Sequence, residues 1–159
     1  MEGRTTIRAI TAVVFGIALA MSASTPAVAN NGVTKVQGLL VPDTGGACKG
    51  DPGALAAYTV SGTFEGCWYV DTVKDEHFTP GGGYRSSGTE TFIGCLGNDC
   101  GRLFTTYVFT AKFRGDVEVH GRCHHPIVGG TGAFEGATGV VNMHDLPNGC
   151  AVYKGHIAY

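Results

Sequence analysis

The sequence predicts an all-β domain, an antiparallel barrel of about eight strands stapled by disulfides. Three observations carry that prediction. All but two of the 26 glycines lie beyond residue 29, scattered rather than periodic, and they punctuate short runs rich in β-branched and aromatic residues. In the same region apolar residues nowhere recur at i, i+3, i+4 and i+7, so no amphipathic helix of useful length is expected. Eight strand-like runs follow one another at short spacing, which is the pattern of a sandwich or a barrel.

Those runs are 33–41, 58–64, 67–73, 84–93, 103–113, 117–123, 139–143 and 151–157. The turns predicted between them are Glu65-Gly66, Pro80-Gly81-Gly82-Gly83, Arg114-Gly115-Asp116 and Pro147-Asn148-Gly149. Arg114-Gly115-Asp116 matches an adhesion tripeptide, but between two strands it reads as a hairpin turn. The stretch from Asp43-Thr44-Gly45-Gly46 to Gly50-Asp51-Pro52-Gly53 reads as a loop tied down by Cys48. Alternation sorts the faces. In 103–113 it sets Tyr107, Phe109, Ala111 and Phe113 on one face, the expected core. In 117–123 it sets Val117, Val119, Gly121 and Cys123 against Glu118, His120 and Arg122.

Ahead of the strands, residues 1–29 have the three zones of an export signal. Arg4 and Arg8 precede an apolar run over 10–21, and small residues end in Ala27-Val28-Ala29, with cleavage expected after Ala29. An apolar run of about 12 residues falls well short of the roughly 20 that cross a bilayer as a helix. The expected product is secreted to the extracellular space, without a membrane span, as one domain over 30–159. Removing Arg4, Arg8 and Glu2 from the 11 basic and 13 acidic residues leaves nine and twelve, a net charge near −3 with no block of either sign. A nucleic-acid partner would call for a clustered basic face, so none is expected.

All six cysteines lie beyond residue 29, at Cys48, Cys67, Cys95, Cys100, Cys123 and Cys150. An even count in an exported chain predicts three disulfides. Cys95 and Cys100 bracket the turn-rich Leu-Gly-Asn-Asp, which predicts a local bridge; the remaining pairings stay open. Zinc would need a second close cysteine pair or a Cys-x-x-Cys spacing, and neither is present.

The most distinctive string is Gly129-Gly130-Thr131-Gly132-Ala133-Phe134-Glu135-Gly136-Ala137-Thr138-Gly139. It lacks the third glycine step of a dinucleotide cradle and the Gly-Lys-Ser/Thr of a P-loop, and no helix follows, so no cofactor is expected from it. It predicts a tight glycine turn in which Phe134 plugs one end of the core before the chain re-enters the sheet at Gly139. The pattern Gly-Gly-Thr-Gly-x-Phe-x-Gly-Ala-x-Gly, followed by a strand and a final strand, resembles the barrel superfamily of allene oxide cyclases and dirigent proteins, including bacterial allene oxide cyclase barrel-like proteins. The likeness is sharp over 128–139 and diffuse over 58–157. It implies an eight-stranded calycin-type barrel with a mostly apolar cavity, sometimes used to guide cyclisation or coupling of reactive intermediates. Association of copies through the barrel sides is an expectation of the same kind. No catalytic residue of that superfamily is carried over to a position here.

An eight-stranded barrel holds filling side chains or one small ligand. Tyr58, Trp68, Tyr84, Phe92, Tyr107 and Phe109 are the aromatics expected to line such a cavity. Two polar residues are candidates for chemistry. Glu90 shares a strand face with Tyr84 and Phe92, and a buried carboxyl that holds its proton acts as an acid or base. His120 lies in the row Glu118, His120, Arg122, which would put a group titrating near neutrality beside a cationic anchor if that row faced the lumen. His120 and His124 stand about 13 Å apart along an extended strand, too far to share one metal, and no metal site is expected. No Gly-x-Ser-x-Gly elbow is present. The sequence therefore predicts a small apolar ligand in a secreted barrel, or a non-catalytic extracellular module. The alternative is a cyclase or isomerase acting on an unsaturated small molecule.

Overall fold

The computed structural model describes residues 32–159, so the export signal expected at 1–29 lies outside the described residues. Eight strands run in order, β1 (Thr34–Pro42), β2 (Ala56–Gly62), β3 (Phe64–Phe78), β4 (Gly83–Leu96), β5 (Asp99–Arg114), β6 (Val117–Gly132), β7 (Thr138–Asp145) and β8 (Ala151–Ala158). Each pairs antiparallel with the next, and β1 pairs with β8 from Thr34↔Ile157 to Leu40↔Ala151, so the sheet closes into a barrel. Closure gives every strand two neighbours within the barrel, whereas β3 beyond Val70 and β6 before Arg122 pair on one side only. No described residue is helical, and among the described residues no helix is long and apolar enough to cross a membrane.

The strand runs read from the sequence all form strands; several are longer than expected, β3 by running on to Phe78, and two differences bear on the site. The β2–β3 turn falls at Gly62-Thr63 rather than Glu65-Gly66, because Thr63 anchors it: its backbone N–H donates to the Gln37 carbonyl, and its hydroxyl accepts from the Gln37 N–H. β6 continues to Gly132, well beyond residue 123, so the glycine string is half strand and half turn.

One end of the barrel is sealed. Phe134 is 0% exposed and packs against Phe92 and Tyr159, while Phe64 lies between Phe92 and Tyr153. The seal depends on the turn before it. Gly132 has φ +70°, a left-handed conformation that costs other residues energy, and it swings Phe134 back over the barrel axis. A side chain on Gly130 would collide with the Phe134 backbone and with the Arg102 carbonyl.

The other end is open and uneven. β1, β2, β7 and β8 stop at its rim, whereas β3 to β6 run on as two long hairpins, the second turning at Gly115 with φ +58°. Their inner surface forms an aromatic hood of Phe78, Tyr84, Phe109 and Phe113. Phe78 is 64% exposed there.

Two disulfides form, Cys48–Cys67 and Cys95–Cys100. The first ties the loop after β1 to the outside of β3, where the Gly50 N–H donates to the Tyr69 hydroxyl and the loop covers that ring. The expected third bridge is absent: Cys123 and Cys150 are both free thiols. Cys123 pairs with Met143 on β7, whereas Cys150 precedes Ala151, which pairs with Asp145 from the far side of β7. That offset is about two strand spacings across the sheet and several residues along it. A disulfide tolerates Cα atoms no more than about 7 Å apart.

Candidate functional site

A cavity of about 190 Å³ opens at the uneven end and reaches about halfway down the barrel. Its apolar wall comes from Leu40, Trp68, Val70, Phe109, Met143 and Ala151, and its polar groups are Tyr58, Ser86, Glu90, Tyr107, His125 and Asp145. The free Cys123 thiol also faces it, and burial together with the nearby Glu90 charge pushes that thiol well above the ordinary range, leaving it neutral.

Glu90 and His125 form the floor. On β4 the inward residues alternate as Ser86, Gly88, Glu90 and Phe92, and Glu90 is 7% exposed. The Trp68 indole N–H donates to Glu90 Oε2, and the same oxygen lies 2.8 Å from His125 Nε2. His125, 1% exposed, sets Nδ1 3.3 Å from the Val141 carbonyl. Its ring thus stands between two acceptors, an arrangement met by a ring that donates from both nitrogens or by a proton resting on Glu90. Trp68 meets the imidazole edge-on at 5.5 Å, and Tyr107 covers it at 6.2 Å. Among the described residues Glu90 Oε1 has no hydrogen-bond partner, yet the one sealed and unpartnered side-chain oxygen is Asp71 Oδ1. Glu90 Oε1 therefore looks into open cavity.

At the rim, Glu118 and Asp145 bring their carboxyls together over Gly121, where any side chain would strike both. Burial, with the Asp145 charge beside it, raises the Glu118 carboxyl to about 7. Burial raises Asp145 as well, partly offset by Glu118 and by three nearby imidazoles, His125, His144 and His120.

Of the six aromatics expected at a cavity, Tyr58, Trp68, Tyr107 and Phe109 line it. Phe92 is a correction: it lies below the floor in the sealed core, in contact with Phe64 and Trp68. Tyr84 is another, standing above the rim in the hood with its hydroxyl on Glu76. Glu90 faces inward, but His120 does not. His120 is exposed on the outer face with Arg122 and His124, and its ring neighbours His144.

The alternation read from 117–123 fails at Val119. A register shift between Lys112 and Phe113 of β5 lets β6 bulge there, so Val117 and Val119 face solvent and Glu118 turns inward with Gly121 and Cys123. His125 escapes sequence reasoning because Pro126 argues against a strand. Pro126 is accommodated where the β5–β6 ladder lapses, between Thr105↔Ile127 and Val108↔His124. The signal that could have found it is the continued alternation Gly121, Cys123, His125, Ile127.

Among the described residues no three His, Cys, Asp or Glu side chains converge to hold a metal ion. Compared with known proteins, the chain matches no family model and no curated protein.

Proposed function

We propose that this is an exported, extracellular barrel that binds one small, largely apolar molecule with a single polar head. The observation that carries the proposal is the cavity itself, apolar on its walls and closed below by the Glu90–His125 pair with one carboxylate oxygen unused. Such pockets, mostly apolar with a few convergent polar groups, are where proteins hold small ligands. At about 190 Å³ the cavity suits a molecule of one ring with a short arm, since benzene fills a cavity of about 150 Å³. A longer apolar tail would lie against the hood. The two disulfides and the signal-like residues 1–29 support export to an oxidising compartment.

Trp68 is the only tryptophan in the chain and stands in the cavity wall, so its fluorescence reports occupancy directly. Titration with one-ring apolar compounds is expected to shift or quench that emission with saturation, and to raise the melting temperature. An unchanged emission across such a series would remove the proposal.

A second reading is favoured by the pairing of Glu90 with His125. A carboxyl and an imidazole in direct contact on a cavity floor form an acid–base couple, as a cyclase or isomerase of allene oxide cyclase or dirigent type would need for an unsaturated substrate. Holding such a substrate in a folded shape can supply much of the rate. On this reading Glu90→Gln abolishes turnover of a substrate that still binds within a few-fold. Turnover that survives Glu90→Gln excludes it.

A further inference from the structure

Resting on the ligand-binding reading above, we infer that the cavity takes a small aromatic or alicyclic amine in its protonated form, with the ammonium on Glu90 Oε1 and the ring against Trp68, Tyr58 and Tyr107.

The first ground is which hydrogen bonds remain to be made. Glu90 Oε2 already accepts from Trp68 and pairs with His125, whereas Oε1 is open to the cavity. Whether the proton of the pair lies on His125 or on Glu90 Oε2, Oε1 only accepts, so the ligand group that meets Oε1 is a donor, and a carboxylate or a ketone head is excluded. Leaving Oε1 dry against an apolar ligand would cost the desolvation of a charged group.

The second ground is charge, and it separates an ammonium from a hydroxyl. No lysine or arginine is among the residues that line the cavity. His125 is the only lining group that can carry positive charge, and its ring is committed between Glu90 and the Val141 carbonyl. The Glu90–His125 pair carries no net charge in either arrangement, so the carboxyls without a paired cation are Asp145 in the wall and Glu118 at the rim. An entering anion meets those two carboxyls at the mouth, and an entering cation is drawn past them to the open Glu90 oxygen. In a cavity partly shielded from water such attraction is stronger than at a surface.

The third ground is the walls. Trp68, Tyr58, Tyr107 and Phe109 surround the space above Glu90. Indole and phenol faces attract ammonium groups within about 6 Å and tolerate an apolar ring equally well.

Four probes of matched size test this: 2-phenylethylamine, 2-phenylethanol, 3-phenylpropanoate and ethylbenzene, titrated near pH 7.5 against the full chain and followed by Trp68 emission and melting temperature. The amine is expected to bind about tenfold or more tighter than the alcohol, and the carboxylate weakest of the four. Glu90→Gln should erase the advantage of the amine while ethylbenzene binds at least as tightly as before, since the amide costs less to leave dry than the carboxylate. Asp145→Asn, at the mouth and away from the floor, should lower amine affinity about threefold and serves if Glu90→Gln does not fold. Ethylbenzene binding with an amine no tighter than the alcohol, or a carboxylate tighter than either, overturns the amine assignment and leaves the ligand-binding reading standing. No response to any of the four overturns both.

Discussion

At the sealed end of the barrel, Phe64, Phe92, Phe134 and Tyr153 fill the interior, and Gly130 makes the room in which Phe134 lies. At the open end the same eight strands enclose Glu90, His125, Asp145 and Glu118, and Gly121 makes the room in which two carboxyls meet. Both ends use a missing side chain on β6, one to admit a ring and the other to admit charge. The sealed end maximises burial of apolar area, which stabilises the fold. The open end holds polar groups whose desolvation works against stability, a pattern expected where a site is kept for something other than folding.

The sharpest way to break this contrast is to empty the sealed end. Phe134→Ala is expected to cost about 3–5 kcal/mol, because the fixed turn around it cannot collapse into the space of the ring. Chemical denaturation would measure it. The cavity mouth, half a barrel away, should still quench Trp68 in the folded fraction; a loss of binding equal to the loss of stability would show that the ends are not independent.

The open end should show itself through pH. Folding raises the Glu118 carboxyl from an ordinary 4.5 to about 7, so between those values the folded state holds protons that the unfolded state has released. Stability should therefore fall as pH rises from about 4.5 to about 7 and level off above, through this group. Melting curves across that window, compared with Glu118→Gln, isolate the effect, and a variant with an unchanged slope would contradict the shared carboxyl pair.

The smallest effect belongs to the imidazole that faces the wrong way. His120→Gln should change stability by no more than about 0.5 kcal/mol and leave Trp68 emission unaltered, as expected for an exposed side chain. A clear change in ligand response would place His120 nearer the cavity than its outward position allows.

The strand pattern was legible because most runs are flanked by glycine, asparagine or aspartate, and because Tyr107, Phe109, Ala111 and Phe113 alternate with Val108, Thr110 and Lys112 to mark the core face of β5. Glu90 was legible for the same reason: its strand keeps register from Ser86 to Phe92, so parity alone turns it inward. His125 was not, since a bulge at Val119 and a proline at 126 both disrupt the local signal, and the closure that tolerates them is a property of all eight strands together. The free state of Cys123 and Cys150 was hidden likewise, because parity of cysteine count carries no information about which strands stand between them. The glycine string was legible as a turn with a plug, but the extent to which β6 enters it depends on its pairing with Gly101 to Phe104.

The ladder that closes the barrel joins Thr34 to Ile157, residues near opposite ends of the described chain. Hairpins between neighbouring strands form locally and early, but this pairing needs two segments more than a hundred residues apart to meet, and loops of that length close slowly. Folding should therefore pass through a curled, incomplete sheet whose β1 and β8 still expose unpaired backbone, the kind of edge that invites pairing with another chain. Refolding yield should thus fall as protein concentration rises, even though β1 and β8 offer no edge once the barrel has closed.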